Sequence, residues 1–405
     1  MAAAYTAPPS LSRTQSTSLM VGVAFLLLLV AGAFVERAMG YDGWGQFFHS
    51  YLLAFVFWVG ISIGSLAILM LQHLTGGAWG LVMRRVLEAG SRTLPLMALL
   101  FVPVVLGLGY NYGWMHPLQH YQGEPLEVVE HKIPYYLNWK LFIVRAVIYF
   151  AIWLLLMFFL NAWSLEQDRT ADRRYKRQMR MISGIGLVLL IFAVTFASFD
   201  WVMSLDPTWA STIFGLLFVA SWALTALAFG IAVMAMLANH APMEGIVQPR
   251  HFHDWGKLLL AFVMLWAYFS FSQYLIIWSG NLPEEARWYL YRTEGGWGIV
   301  AVVVIILHFM FPFLMLLSRD LKRNARTLAL VAIGVLVMRL VDLFWLIEPV
   351  FHPFHLHLSW MDVAAPVALG GIWLWFFTGQ LKQRPLLPIN DPDLESATAH
   401  VHGGH

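Results

Sequence analysis

The chain has 405 residues, of which 60% are hydrophobic and only 12% charged, with a formal net charge of +2. A water-soluble domain of this length has no use for so much apolar surface, so the composition reads as a polytopic membrane protein. There is no cysteine, which excludes disulfides, thiolate zinc sites and iron–sulfur clusters ligated by this chain.

Ten apolar segments approach or exceed the ~20 residues a helix needs to cross a bilayer. They cover 18–37, 47–73, 93–115, 137–163, 181–201, 210–239, 256–280, 296–318, 327–348 and 359–381. The expected fold is an all-α polytopic membrane protein with ten transmembrane helices, because lipid offers exposed backbone groups no hydrogen-bond partner. The short alternating segments of a membrane β-barrel are absent. The first apolar run, 19–34, follows Arg13 and has the outline of a signal peptide; it is taken as the first span. Of the 25 Lys and Arg, 18 fall in one set of loops, with Arg84, Arg85, Arg92 and the stretch 173–180 among them. The alternating set holds only Arg37, Lys132, Arg287 and Arg292. The positive-inside rule then places both termini in the cytoplasm, as expected of a multi-pass membrane protein.

The outer loops are rich in Trp, Tyr and His, including Trp114, His116, Tyr135, Trp288 and His352. Two readings are open: an interfacial aromatic belt, or a docking surface for extramembrane protein. Residues 116–136 form a long acidic loop with Glu124, Glu127 and Glu130, suited to lie against a partner.

A local pattern occurs twice at the end of a long apolar segment. Asp200 is followed six residues later by Asp206-Pro207, and Asp342 six residues later by Glu348-Pro349, an offset of 142 residues (342 − 200). An even number of spans per unit preserves direction, so spans 2–5 and 6–9 are expected to form two parallel-repeat four-helix bundles. The expected division is a tail at 1–17, a peripheral first span within 18–46, bundles at 47–207 and 208–350, an outer His-rich loop with span 10, also peripheral, at 351–381, and a tail at 382–405. Gly60, Gly64 and Ser65 give span 2 a small-residue face for close packing.

A carboxylate inside a bilayer is costly and seldom idle. Asp200 and Asp342 lie roughly 28 Å and roughly 22 Å along their spans at 1.5 Å per residue, hence in the outer third. Both are candidate protonatable groups in a proton path. The alternative is structural: Arg339, three residues before Asp342, shares its helical face. Arg145, at similar depth to Asp200, needs an acid or carbonyls, and Asp200 is its natural partner. Asp206-Pro207 also has the form of an N-cap followed by proline at a helix start. The proton-path candidates are Asp200, Asp206, His308, Arg339, Asp342 and Glu348. His308 sits near mid-membrane, where an imidazole can relay protons or be a hydrogen-bonded core residue. Ser270, Ser272 and Gln273 can line a hydrated path or bond across helices.

No histidine pair at matching depth suits a transmembrane haem, since His49 and His73 lie at opposite ends of span 2. The cluster His352, His355 and His357 lacks recognisable metal-ligand spacing, and His400, His402 and His405 belong to a polar tail. There is no nucleotide-binding fingerprint. No covalently bound cofactor is expected.

Three stretches carry a resemblance. They are Ser198-Phe-Asp-Trp-Val-Met-Ser-Leu-Asp-Pro207; His253-Asp-Trp-Gly-Lys257 leading into Trp266-Ala-Tyr-Phe-Ser-Phe-Ser-Gln-Tyr274; and Ile277-Trp-Ser-Gly-Asn281. With two four-helix units and flanking spans, the chain resembles the NrfD/polysulfide-reductase membrane-subunit superfamily. Within it, the chain is most similar to the ActF family, one of the membrane components of bacterial alternative complex III. The resemblance extends from span 1 to span 10. It implies a subunit, without its own redox centre, of a complex that oxidises quinol. Partner subunits would carry iron–sulfur clusters and c-type haems and pass electrons to cytochrome c or another periplasmic acceptor. A larger sibling membrane subunit of that complex holds a quinol site at the outer end of its first bundle. The matching region here, a candidate quinone cleft, is near His49, Tyr51, Arg145 and Asp200. Lipids are the other expected ligands. Two alternatives stand beside this reading: a structural scaffold, and a secondary transporter. The transporter is weakened because Pro95 and Pro103 in span 3 have no counterpart in span 7.

Overall fold

The computed structural model describes residues 5–398, so His400, His402 and His405 lie outside the described residues. Ten helices are long and apolar enough to cross a membrane: Ser10–Ala38, Gly43–Thr75, Ala78–Leu106, Trp139–Thr170, Arg173–Leu205, Phe214–Leu237, Pro249–Gly280, Trp297–Leu317, Ala325–Val350 and Trp360–Lys382. They are called spans 1 to 10. No strand occurs among the described residues. The protein is an all-α multi-pass membrane protein, as the apolar segments imply. Ten crossings return the chain to the face where it began; the opposite face is termed outer.

Polar side chains set where the spans start. Asp42 accepts from Gly45 N at 3.0 Å at the head of span 2, and Asn138 from Leu141 N at 2.9 Å at the head of span 4. Asp172 and Asn324 do the same for spans 5 and 9. Ser359 and Asp362 form a reciprocal capping box on span 10. Each cap satisfies amide donors that would otherwise be orphaned in the first turn.

The helices extend beyond their apolar cores, and span 3 most of all. It begins at Ala78, not near 93, so Arg84, Arg85 and Glu88 lie on a helix and are buried. The loop placement inferred for Arg84 and Arg85 is therefore corrected. Charged side chains depress local hydropathy, yet here they neutralise one another inside the protein. Span 3 is then interrupted at Phe101 and Gly107. Pro95 and Pro103 lie in the first turns of its later segments, where a missing N–H is tolerated.

Span 2 packs on spans 3 and 5, and span 4 on spans 3 and 5; span 6 packs on spans 7 and 9, and span 8 on spans 7 and 9. Spans 2 and 6 are the most enclosed helices and pack against each other along a seam; spans 2–5 and 6–9 are termed the first and second quartets. At the seam, a Cβ on Gly64 would come within 2.0 Å of the Trp222 carbonyl oxygen. Only glycine permits that approach. Span 10 packs on spans 1 and 2 and buries Trp373, whose Nε1 donates to Ser62 Oγ at 2.9 Å.

Span 8 contains a π-helical turn, Ile305–Met310, between the α-helical segments Trp297–Val304 and Phe311–Leu317. Pro312 explains it. Proline has no N–H to return to the carbonyl of His308 four residues earlier, and its ring crowds that carbonyl. The widened turn absorbs the conflict, and such turns frequently mark functional positions.

Candidate functional sites

Asp200 is the penultimate residue of the α-helix Arg173–Trp201 and is 1% exposed. Arg145 of span 4 meets it in a two-pronged pair, Nε donating to Oδ2 at 2.8 Å and Nη2 to Oδ1 at 2.9 Å. Tyr149, one turn further along span 4, donates its hydroxyl to Oδ2 at 2.8 Å. The third guanidinium nitrogen donates to the Tyr136 carbonyl at 3.1 Å, and the cation lies over the Tyr136 ring at 3.9 Å. Parallel charge-assisted bonds of this kind are the strong class of hydrogen bond. The pairing expected from depth alone is the one observed. Phe55, Phe101, Phe150, Trp153 and Trp201, the last adjoining Asp200 in the chain, contact one another as an aromatic cluster.

In the second quartet, Asp342 forms an ion pair with Arg339 and accepts from Trp266 Nε1 at 3.3 Å. The structural pairing along one helical face is thus present. It does not use up the arginine: Nε and Nη2 of Arg339 have no partner among the described residues. His308 projects from the π-helical turn against Trp266, ring centroids 4.5 Å apart. It is fully buried, and neither ring nitrogen has a partner among the described residues. Nothing in the sequence marks Trp266 as a partner of the acid, because its place deep in an apolar helix gives no local signal. Gln273, by contrast, does bond across helices, to Ser211 Oγ at 3.1 Å and Tyr289 Oη at 3.3 Å.

Glu348 and Asp206 part company despite their shared proline pattern. Glu348 closes span 9 fully buried, and neither carboxylate oxygen has a partner among the described residues. Its charged neighbour is Asp362, which accepts from Ser50 Oγ at 2.5 Å, Gln46 Nε2 at 3.0 Å and Ser359 N at 2.8 Å. Asp206 does not begin a helix, which corrects the N-cap alternative: the next helix starts at Phe214. Asp206 instead accepts from Thr208 N at 3.3 Å and Thr208 Oγ1 at 2.7 Å in a local turn.

Each of the candidate quinone-cleft residues is engaged by other groups of the protein. His49 Nε2 is 3.2 Å from the Tyr110 carbonyl oxygen, and Phe351 stacks on its ring at 3.5 Å. Since a carbonyl only accepts, that nitrogen carries the proton. Tyr51 donates to the Leu100 carbonyl at 2.8 Å. Arg145 and Asp200 satisfy each other. Among the described residues, no group of three or more His, Asp or Glu is arranged to hold a metal ion. His352 and His357 have ring centroids 4.3 Å apart, and burial, then the two neighbouring imidazoles, lowers the His352 pKa from 6.5 to about 4.

Two further features have almost no sequence signature. At the inner end of the first quartet, Glu88 accepts from Arg84 Nε at 3.0 Å, Arg85 Nη1 at 2.5 Å, Arg384 Nη1 at 3.2 Å and Ser164 Oγ at 2.5 Å. Arg85 also pairs with Asp168, and Arg84 with Asp391 at 3.0 Å. Arg384 also donates to Asn161 Oδ1 of span 4 and Lys176 of span 5 to Asp391 Oδ1, both at 3.3 Å, so the segment after span 10 is fastened across spans 3 to 5. The i,i+4 spacing of Arg84 and Glu88 is the one local hint. On the outer face, Arg292 is buried without an ion-pair partner among the described residues. It donates to the carbonyls of Trp288 at 3.0 Å and Leu346 at 2.8 Å and lies 3.6 Å from the Trp288 ring. Burial lowers its pKa to about 9.

No protein-family model matches the chain, and no curated protein matches it.

Proposed function

We propose that this chain is a membrane subunit of a quinol-oxidising complex of a bacterial inner membrane, of the ActF kind, with both termini in the cytoplasm. It carries no redox centre of its own and serves the complex by moving protons. The observation that carries this reading is the pair of buried carboxylates, each with its own arginine: Asp200 with Arg145 and Asp342 with Arg339. Each sits near the outer end of a different helix quartet, which also supports a duplicated, parallel-repeat origin. Charge held in lipid-surrounded helices is expensive and marks proton or ion routes more often than it adds stability. His308, with both nitrogens open among the described residues, stands where a relay would serve the second pair. Glu348 and Asp206 would then lie toward the outer face.

The fit to a quinone is poor at the four candidate cleft residues. Tyr51, Arg145 and Asp200 are engaged with protein groups, and Phe351 covers His49. On this reading the quinol chemistry belongs to a sibling membrane subunit, and iron–sulfur and c-type haem subunits carry the electrons to cytochrome c or another periplasmic acceptor. A scaffold role is the second reading, favoured by how completely Arg145 and Tyr149 satisfy Asp200.

The test is Asp200→Asn and Asp342→Asn in the assembled complex reconstituted into liposomes. Quinol oxidation should persist while protons moved per electron fall in at least one variant. Unchanged proton stoichiometry in both variants, with assembly intact, leaves only the scaffold.

A further inference from the structure

A cleft of about 420 Å³ opens on the outer face where the connections of the two quartets meet. Tyr110, Asn111, Tyr121, Asp206, Tyr291 and Phe351 are among its walls. Asn111 is its most informative residue. The side chain is 3% exposed, and neither Nδ2 nor Oδ1 has a hydrogen-bond partner among the described residues. Buried amides are nearly always satisfied, so an open donor and an open acceptor together at a cleft wall mark a place for an incoming group.

We propose that this cleft binds an extended segment of an extramembrane polypeptide. Neither acid–arginine pair lines the cleft; of the proton-path candidates only Asp206 is among its lining residues, and the peptide reading does not use its titration. Three observations converge on a peptide. An asparagine amide offers one donor and one acceptor side by side, and a peptide group presents the complementary C=O and N–H. Extended or polyproline II backbone makes no internal hydrogen bonds, so its carbonyls are free to be read, and it seats against aromatic walls. Tyr110, Tyr121, Tyr291 and Phe351 supply such walls, with Pro125 and Pro353 beside them. Finally, the lining lies at or beyond the outer ends of the spans. The mouth therefore faces water and not acyl chains, which suits a soluble domain's loop or tail better than a lipid or a quinone. Arg287, whose guanidinium lies over the Tyr291 ring at 5.1 Å, and Asp206 put one charge of each sign among the lining residues.

The experiment places the photo-crosslinker p-benzoylphenylalanine at Tyr291 and, separately, at Gln122 on another part of the lining, in cells making the full chain. After irradiation the chain is purified under denaturing conditions and adducts are mapped by mass spectrometry. The expected result is one polypeptide segment, the same from both positions, with its adduct yield falling about tenfold in Asn111→Leu, the scale of one lost hydrogen-bonded group. The thermal midpoint of Asn111→Leu, measured alongside, should not fall, since the substitution removes an unpartnered amide. Adducts to lipid or quinone alone, no adduct, or a polypeptide adduct indifferent to Asn111→Leu would each overturn the proposal.

Discussion

Replacing Asp200 by alanine strands the Arg145 guanidinium among Tyr136, Tyr149 and apolar side chains. With donor–acceptor distances of 2.8 and 2.9 Å, the charge centres are about 4 Å apart. At an effective dielectric near 20, that attraction is about 4 kcal/mol before desolvation is subtracted. Removing one member of a buried pair costs about 3–5 kcal/mol, because the other is left desolvated and unpaired. Arg145 keeps 18% of its side chain exposed, so the lower end, about 3 kcal/mol, is expected. The double variant Arg145→Met with Asp200→Leu removes both charges and should lie within about 1.5 kcal/mol of the parent. Denaturant titration of the purified protein in mixed micelles, followed by tryptophan fluorescence, measures both. A cost below about 1 kcal/mol for Asp200→Ala would refute the reasoning, since the carboxylate would then behave as a solvated surface group.

At the inner end, Glu88→Gln leaves Arg84, Arg85 and Arg384 with a neutral partner, and should lower stability by about 3 kcal/mol or more. Limited proteolysis should also release the segment after span 10, which Arg384 and Asp391 fasten down; a protected segment argues against this role. His352 supplies a pH dependence. Its folded pKa of about 4 lies below the ordinary 6.5, so between those values the unfolded chain binds the proton more readily. Stability is therefore full above pH 6.5 and declines as pH falls toward about 4. His352→Gln should flatten that decline in thermal midpoint, and an unaltered slope would show that another group sets it.

Much of the architecture is a local property and is legible in the sequence. Each span announces itself by ~20 apolar residues, because a helix in lipid must satisfy its own backbone whatever its neighbours do. The Arg145–Asp200 partnership is legible for a related reason. Two opposite charges at one depth in hydrocarbon have few other places to go. Glu88 shows the limit of such reasoning. Its partner Arg384 is 296 residues away, and without that contact Arg84 and Arg85 look like loop charges. Hydropathy therefore starts span 3 too late. Asp206 shows the same limit in reverse: an Asp-Pro pair has the local form of a helix start, but the chain turns there and the helix begins at Phe214.

The sequence by itself determined the class, the ten crossings and the presence of costly acids near the outer ends of spans 5 and 9, since these follow from hydropathy and helix geometry. Only the tertiary structure decided which polar atoms remain open. Asp200 is fully engaged, while Glu348, His308 and Asn111 have open polar atoms among the described residues. The physical reason is that a hydrogen-bond partner is usually supplied by another helix, at a position no local pattern encodes.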